Sequence, residues 1–411
     1  MIRLQHAWEI LAREITPLET HHVPLARAQA AYLGESVLAS EDIPRFDCAA
    51  MDGYALRHAD VTGTDTRLIV AGEIFAGSKE MPHTHPGHCH RIFTGANLPL
   101  DADTVVPVEQ TSTRSFSDGA GCAEVCILEL PEKGAYIYRR GGNARSGSTL
   151  LAKGSRVGSR QIGLIATTGR ATVCVYRRPR IRILNTGAEL TDVNAPADSH
   201  QIYNSTGPML AAALAESGFH EVACETVPDN VDATIESIAA ACAVSDVVIV
   251  TGGISAGLYD YVPKAIQGLG GEIIYHGIAM KPGKPQLFAR SPYGIPIFGL
   301  PGNPLSSVVG FYELVLPAIR RLSGCPIETC RPELVLPLTN EMRNDSERLM
   351  VVPAQIAHKP NGSYVSPRPP TGSADLVTSA TVDGAILLDP NLGQVQAGTP
   401  VAFRPWGGLF S

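Results

Sequence analysis

Two lysines, two acids and a set of glycine turns stand in this chain where phosphate chemistry would need them. Lys281 and Lys284 lie in KPGKP (281–285), Glu189 in TGAEL (186–190), and Asp260 ends TGGISAGLYD (251–260). A fourth turn, LPGNP (300–304), has no charge but offers backbone N–H groups. Ammonium groups and helix N-termini favour phosphates or another oxyanion, and carboxylates hold Mg²⁺ against such a ligand. Glycine lets the backbone approach that ligand and take φ > 0. Each turn alone reads equally well as a surface carboxylate, a solvated turn or a tight strand-to-helix connection. Four on one sheet edge make the plain reading a poor account, because loops at the carboxyl ends of parallel strands converge in space.

Two further polar stretches bear on chemistry. PRFDCAAMDGYALR (44–57) places Asp47 and Asp52 beside turn residues, although Asp52-Gly53 alone is a normal hairpin signal. HTHPGHCH (83–90) has the composition of a metal site in His83, His85, His88, Cys89 and His90. Metal ligands need a fixed geometry, which a Pro/Gly loop does not supply, so it reads as a polar surface loop.

The elements that must position these residues follow from hydrophobic pattern. Asp246–Val250, DVVIV, reads as a buried parallel strand running into Thr-Gly-Gly. From Arg180 the rhythm is strand, helix, strand: Arg180–Leu184, a helix at TGPMLAAALAESG that Asn204 can cap, Val222–Val227, and a helix at Val231–Val244. Ile273–Ile274 and Ile295–Phe298 complete the strands, and Leu305–Leu322 is a closing helix. Before this segment, residues 4–14 have helical spacing, and Leu25–Ala31 with Leu33–Leu38 suggest a second helical region. The expected fold is multidomain α/β and β. It comprises a discontinuous scaffold domain (1–44 and 145–178), a β-rich insertion (45–144), a doubly wound α/β domain (179–324) and a small β-barrel-like domain (325–411).

Composition excludes several classes. The 411 residues exceed one ordinary core, and 44% hydrophobic with 18% charged residues describes a globular protein. A net charge of −7 argues against sequence-independent nucleic-acid binding. No run of about 18 apolar residues is present, so no membrane span is expected. Nine scattered cysteines suit reduced thiols in a cytoplasmic protein, and Cys122 and Cys126 lack a second pair at zinc spacing.

Together the motifs PRFDCAAMDGYA, RIFTGANLP, TGAEL, TGGISAGLYDY, KPGKP, GLPGNP and TGSADL resemble the molybdopterin molybdenumtransferases, the MoeA type that includes the gephyrin E domain. Order and layout agree over essentially the whole chain. The resemblance implies insertion of molybdate into adenylylated molybdopterin with release of AMP, assisted by Mg²⁺. It implies a cytoplasmic homodimer, with the molybdopterin adenylyltransferase as a further partner. It places catalytic roles on Asp52, Glu189, Asp260, Lys281 and Lys284, and metal binding on Glu189, Asp229 and Asp260. Substrate binding falls on Thr94, Thr251, Gly252, Gly253, Ser255, Pro301, Gly302, Asn303, Arg348 and Ser373. The chain departs from the pattern at Gly142-Asn143, where acids are common, at Ala188 in place of an acid, at Cys48 and at Thr206. After Arg348 it lacks a second arginine. Those losses admit a paralogue that binds the nucleotide without efficient metal insertion, or a cofactor-delivery scaffold; the retained Glu189, Asp260 and lysines argue against full loss.

Overall fold

The structure, a computed structural model, describes residues 1–113, 121, 123–255 and 260–407. Cys122 and residues 256–259 of the Thr-Gly-Gly loop lie outside the described residues. The chain forms two compact units: Met1–Glu35, Lys153–Gly163 and Ala171–Ser411 in one, Ser36–Ala152 and Leu164–Arg170 in the other.

The first unit is built on a six-stranded sheet. In chain order its elements are β1 (Ile181–Thr186), α1 (Thr206–Glu216), β2 (Val222–Val227), α2 (Val231–Val244), β3 (Val247–Thr251), α3 (Val262–Gly268), β4 (Glu272–His276), β5 (Leu287–Arg290) and β6 (Pro296–Leu300). The sheet order is β2-β1-β3-β6-β5-β4. β2, β1, β3 and β6 are parallel, while β5 runs antiparallel between β6 and β4. Pleating sorts the apolar residues. Ile181, Ile183, Val247 and Ile249 face one core with Leu210 and Leu214 of α1, whereas Leu184, Val248 and Val250 face another with Ile238 of α2 and Ile266 of α3. All five residues of β3 are buried, as a central parallel strand requires. The sequence pattern does not reveal β5: its four residues, LFAR, are too short to show a period and sit between two proline turns.

The closing helix spans Pro304–Leu322, but Phe311–Val315 is a π turn. Pro317 has no N–H for the carbonyl of Glu313, and Leu316 N–H bonds back to Phe311 O instead. Glu313, fully buried there, meets Arg331 at 3.2 Å and Arg404 at 3.3 Å, which ties the helix to the C-terminal sheet. That sheet runs Met280–Lys281, Leu349–Lys359, Gly384–Leu388, Pro400–Pro405, Leu334–Pro337, with Gly362–Pro367 beside the long second strand. The opening helix, Leu4–Glu14, buries Leu4, Trp8 and Leu11 in the core of the α/β sheet.

The second helical region does not form. Leu25–Arg27 is one 3₁₀ turn, Val37–Leu38 is a short strand, and Leu33 bridges Val175. Thr20–Pro24 pairs with Thr172–Tyr176 along its whole length, and Gly34 fits against Thr20 and Cys174 where a Cβ would clash. Sheet pairing with a distant segment overrides the local apolar spacing.

The second unit carries a five-stranded sheet, Thr104–Pro107, Gly53–Leu56, His88–Ile92, Thr66–Ile74 and Glu124–Ile127, over a core of Tyr54, Leu56, Leu68, Val106 and Ile127. Three of the four histidines of residues 83–90 have ordinary hydrogen-bond partners: His83 meets Asp101 at 2.7 Å, His88 the carbonyl of Pro86 at 2.9 Å, and buried His90 the Thr84 hydroxyl at 3.3 Å. Among the described residues no group of three His, Cys, Asp or Glu is placed to hold a metal ion. No described helix is long and apolar enough to cross a membrane.

The start of β3 is fixed electrostatically. Asp246, 9% exposed, accepts two bonds from the Arg177 guanidinium at 2.7 and 2.9 Å and one from the Arg180 N–H at 2.8 Å. Burial alone raises its carboxyl; the Arg177 and Arg180 hydrogen bonds override that and hold it well below the usual carboxylate range. Its stabilisation is therefore complete above the unfolded value of about 3.9 and fades as pH falls below it. Asp246→Ala is expected to destabilise by about 3 kcal/mol at neutral pH, the low end for breaking a buried ion pair. Urea unfolding of both proteins from neutral pH downward should show the gap narrowing below about pH 4; a gap independent of pH would contradict this assignment.

Candidate active site

Register brings the candidate loops together. Asn185 of β1 stands opposite Thr251 of β3, Thr186 opposite Val227 of β2, and Thr251 opposite Leu300 of β6. The segments after these strands carry Glu189, Asp229, Gly252-Gly253 and Pro301–Asn303, so all leave one carboxyl edge of the sheet. Side chains then fix the spacing. Asn185, fully buried, accepts from Thr251 Oγ1 at 2.9 Å and donates to the carbonyl of Glu225 at 3.1 Å. Thr186 Oγ1 donates to the carbonyl of Thr251 at 3.2 Å, and Gly252 N–H to that of Leu300 at 3.0 Å. Gly252 has φ +84°, and a Cβ there would lie 2.4 Å from the carbonyl oxygen of Thr186. The same position is within reach of the LPGNP turn, since a Cβ on Gly302 would lie 3.7 Å from Gly252 Cα.

The carboxylates gather beside this turn. Glu189 is exposed and folds back so that both its oxygens would lie 2.8 Å from a Cβ on Gly187. The Asp229 carboxyl is pushed up by its burial and then by the negative charges of Glu189 and Asp260, against a hydrogen bond from the Ala188 backbone. Three carboxylates thus share one field without forming a preformed metal cluster. Ser255 is exposed at the end of the described loop.

The KPGKP loop reaches the same turns through buried amides. Lys281 is an edge-strand residue paired in register with Met350, two positions from Arg348, so the loop's first lysine belongs to the C-terminal sheet. The carbonyl of Lys284 accepts from the N–H of Ile278 and Gln286, both at 2.9 Å. Gln286, 1% exposed, donates to the Ser306 carbonyl at 3.3 Å. Ser306 N–H reaches the Ser373 carbonyl at 3.3 Å, and Asn303 donates to Ser373 Oγ at 3.0 Å. Lys281, Lys284, Gly302, Asn303 and Ser373 are exposed, as groups meeting a ligand must be, while Pro301 is buried and fixed by Ser307 Oγ on its carbonyl. Asn185 and Gln286 were missed in the sequence. Their only signal is a polar residue closing or opening an apolar run, IRIL-N and Q-LFA.

In the second unit Asp52 and Thr94 meet directly. Asp52 Oδ1 accepts from Thr94 N–H at 2.7 Å and from its hydroxyl at 2.6 Å.

Family profiles cover nearly the entire chain. Residues 2–169 match the MoeA N-terminal region (domain I and II), 182–321 a probable molybdopterin binding domain, and 335–406 the MoeA C-terminal region (domain IV). The molybdopterin molybdenumtransferase 2 of Mycobacterium tuberculosis is 35% identical over 97% of this chain and 98% of its own length. The chain belongs to the MoeA family of molybdopterin molybdenumtransferases. The Bacillus subtilis molybdopterin molybdenumtransferase is 30% identical over 93% of this chain and 89% of its own. A molybdopterin biosynthesis MoeA protein from Pyrococcus horikosii superposes with a TM-score of 0.79 at 27% identity, covering 99% of this chain and 100% of that one.

Two departures from the MoeA pattern have a structural reading. Ala188 lacks the common acid, yet its backbone still bonds the Asp229 carboxylate. Thr206 begins α1 after Ser205 at the cap position, whose side chain makes no capping bond; Asn204, one residue earlier, accepts from Gly207 N–H at 3.1 Å. Gly252 has no room for a side chain. Gly252→Ala is expected to cost about 1–3 kcal/mol, because a positive-φ residue would press on backbone that cannot yield. Gly163→Ala, a helical position with nothing within 4 Å of the new Cβ, should change stability by under about 1 kcal/mol and in the stabilising direction. Thermal unfolding of the two variants makes the comparison, and equal behaviour would show that the turn does not need glycine.

Proposed function

We propose that this chain is a transferase of molybdenum cofactor biosynthesis that inserts molybdate into adenylylated molybdopterin and releases AMP. The observation that carries the reading is the convergence of Glu189, Asp229, the Thr-Gly-Gly turn and the Pro-Gly-Asn turn on one sheet edge in a chain with full-length MoeA likeness. Charge and reach suggest the roles. Lys281 and Lys284 supply ammonium groups for molybdate and phosphate oxygens from a turn whose backbone is braced by Gln286. Thr251, Gly252, Gly253 and Ser255, with Pro301, Gly302 and Asn303, hold the pterin phosphate. Ser373, held by Asn303, and Arg348, beside the Lys281 strand, extend that binding surface.

Glu189, Asp229 and Asp260 fit Mg²⁺. They are hard oxygen donors, and the Asp229 carboxyl is raised by its burial and then by the charges of Glu189 and Asp260, a contribution that a cation would relieve. Mg²⁺ uses one or two carboxylates together with waters and substrate phosphates, so a closed protein cluster is not required. Bound there, it would neutralise charge on the phosphoanhydride as AMP departs. Catalytic use of Asp52, binding by Thr94, the homodimer, the cytoplasmic setting and an adenylyltransferase partner belong to the same proposal and rest on the family likeness.

Reconstitution with purified protein, adenylylated molybdopterin, molybdate and Mg²⁺ tests the reading. Lys284→Ala should raise the molybdate requirement roughly 10- to 150-fold, the equivalent of one charge-assisted contact of about 1.5–3 kcal/mol, with activity returning at high molybdate. Asp260→Ala should lose AMP release while retaining nucleotide binding, with little rescue by molybdate. If both variants release AMP at the wild-type rate, these loops are not the active site. Sedimentation at micromolar concentration should show a dimer; a monomer that sustains turnover would remove the dimer from the proposal.

A further inference from the structure

Past the closing helix the chain turns through Gly324-Cys325-Pro326 into a 3₁₀ turn, Ile327–Thr329, and then Cys330. Both cysteines are buried, 3% and 0% exposed, and both are free thiols. The turn folds them onto each other. Cys330 Sγ donates to the carbonyl of Cys325 at 3.6 Å and to that of Pro326 at 3.3 Å, while Cys325 Sγ lies 3.4 Å from Thr329 Oγ1. Two guanidiniums bracket the pair. Arg320 donates to the Cys330 carbonyl at 3.2 Å and Arg321 to the Cys325 carbonyl at 3.5 Å. The Tyr32 hydroxyl also bonds Cys325. Hydroxyl donors, a neighbouring thiol and nearby positive charge are the surroundings that make a thiol nucleophilic.

We propose that Cys325 and Cys330 form a peroxide-reactive dithiol that closes to a reversible disulfide within one chain. Cys330 directs its proton at the carbonyls of Cys325 and Pro326 and so keeps it, whereas Cys325 faces the Thr329 and Tyr32 hydroxyls, which donate to a thiolate. The neighbouring thiol and these hydroxyls lower the Cys325 thiol against its burial, while Cys330 is raised by that neighbour and by burial. Cys325 is thus the attacking sulfur and Cys330 the resolving one. In the first step the Cys325 thiolate displaces hydroxide from hydrogen peroxide and becomes a sulfenic acid; the hydroxide takes a proton to form water. In the second, the Cys330 sulfur attacks that sulfur, the S–O bond breaks, and the Cys330 proton leaves with the hydroxyl as a second water. Two thiols are oxidised by two electrons and one peroxide is reduced. Glu328 and Thr329, between the two cysteines, are exposed.

Other thiols supply the contrast. Cys224 lies in an exposed residue, but burial of its sulfur pushes that thiol up, and Cys89 is pushed up to about 12 by burial. Exposure alone would favour Cys224, whereas the proposal favours the buried pair.

The test is peptide mass mapping of the full-length protein under native conditions after a limiting dose of hydrogen peroxide, without reductant. The expected result is a disulfide joining Cys325 and Cys330, formed before Cys224 is modified and reversed by dithiothreitol. In Cys330→Ser the reaction should stop at a Cys325 sulfenic acid captured by dimedone, and in Cys325→Ser the Cys330 thiol should stay intact. Oxidation of Cys224 with Cys325 and Cys330 still reduced would overturn the proposal. So would irreversible oxidation of Cys325 in the wild type without a disulfide. The wild-type map decides even if a serine variant fails to fold.

Discussion

The candidate site depends on one hydrogen bond between two strand ends, Thr251 Oγ1 to Asn185 Oδ1 at 2.9 Å. Asn185 is fully buried, so its amide must find partners or destabilise the fold by about 1–3 kcal/mol. It finds them on both flanks, β3 through Thr251 and β2 through the carbonyl of Glu225. That fixes where β1 and β3 end, and where they end decides where Glu189 and the Gly252-Gly253 turn begin. The close approach of Gly252 to the Thr186 carbonyl follows from the same register. A one-residue slip would turn every alternate side chain to the other face, which two hydrophobic cores forbid.

The second half of the site hangs from the closing helix. Ser306 in its first turn links Gln286, under the lysine loop, to Ser373 of the C-terminal segment. Further along, Glu313 is held by Arg331 and Arg404, which attaches the same helix to the C-terminal sheet. A buried carboxylate between two guanidiniums is weak evidence for net stability, but removing either partner would strand a charge. Its clearer consequence is geometric: the sheet that Lys281 joins and the helix beside the Pro-Gly-Asn turn are fixed in one unit.

Sequence patterns read unevenly against this structure. Strongly periodic or fully apolar elements were legible: the opening helix, β1 to β3, α1 and α2 match their expected positions within a residue or two. Short elements defined by pairing were not. β5 has four residues and takes its identity from β4 and β6 on either side, and the helical reading of 25–38 fails because Thr20–Pro24 and Leu33 pair with a strand about 150 residues away. Among site residues, charge and glycine motifs pointed to Glu189, Asp260, Lys281, Lys284 and the Thr-Gly-Gly turn. Asn185 and Gln286 carry no motif; burial against specific partners is what gives them a role.

By itself the sequence determined the chemical inventory and the class of fold. Valine-rich runs, glycine turns and their order suffice because hydrophobic period and backbone freedom are local properties of the chain. It also determined that lysines and carboxylates sit on turns after strands. Only the tertiary structure decided which of those turns meet. Parallel register places Thr186, Val227, Thr251 and Leu300 on one edge, and long-range pairing makes Lys281 a strand residue of the C-terminal sheet and not a free turn. It likewise decided that Asp229 shares a field with Glu189 and Asp260, and that Cys325 and Cys330 share a turn closed by Arg320 and Arg321. Those are distances between residues, set by how buried surfaces pack, and no local pattern encodes them.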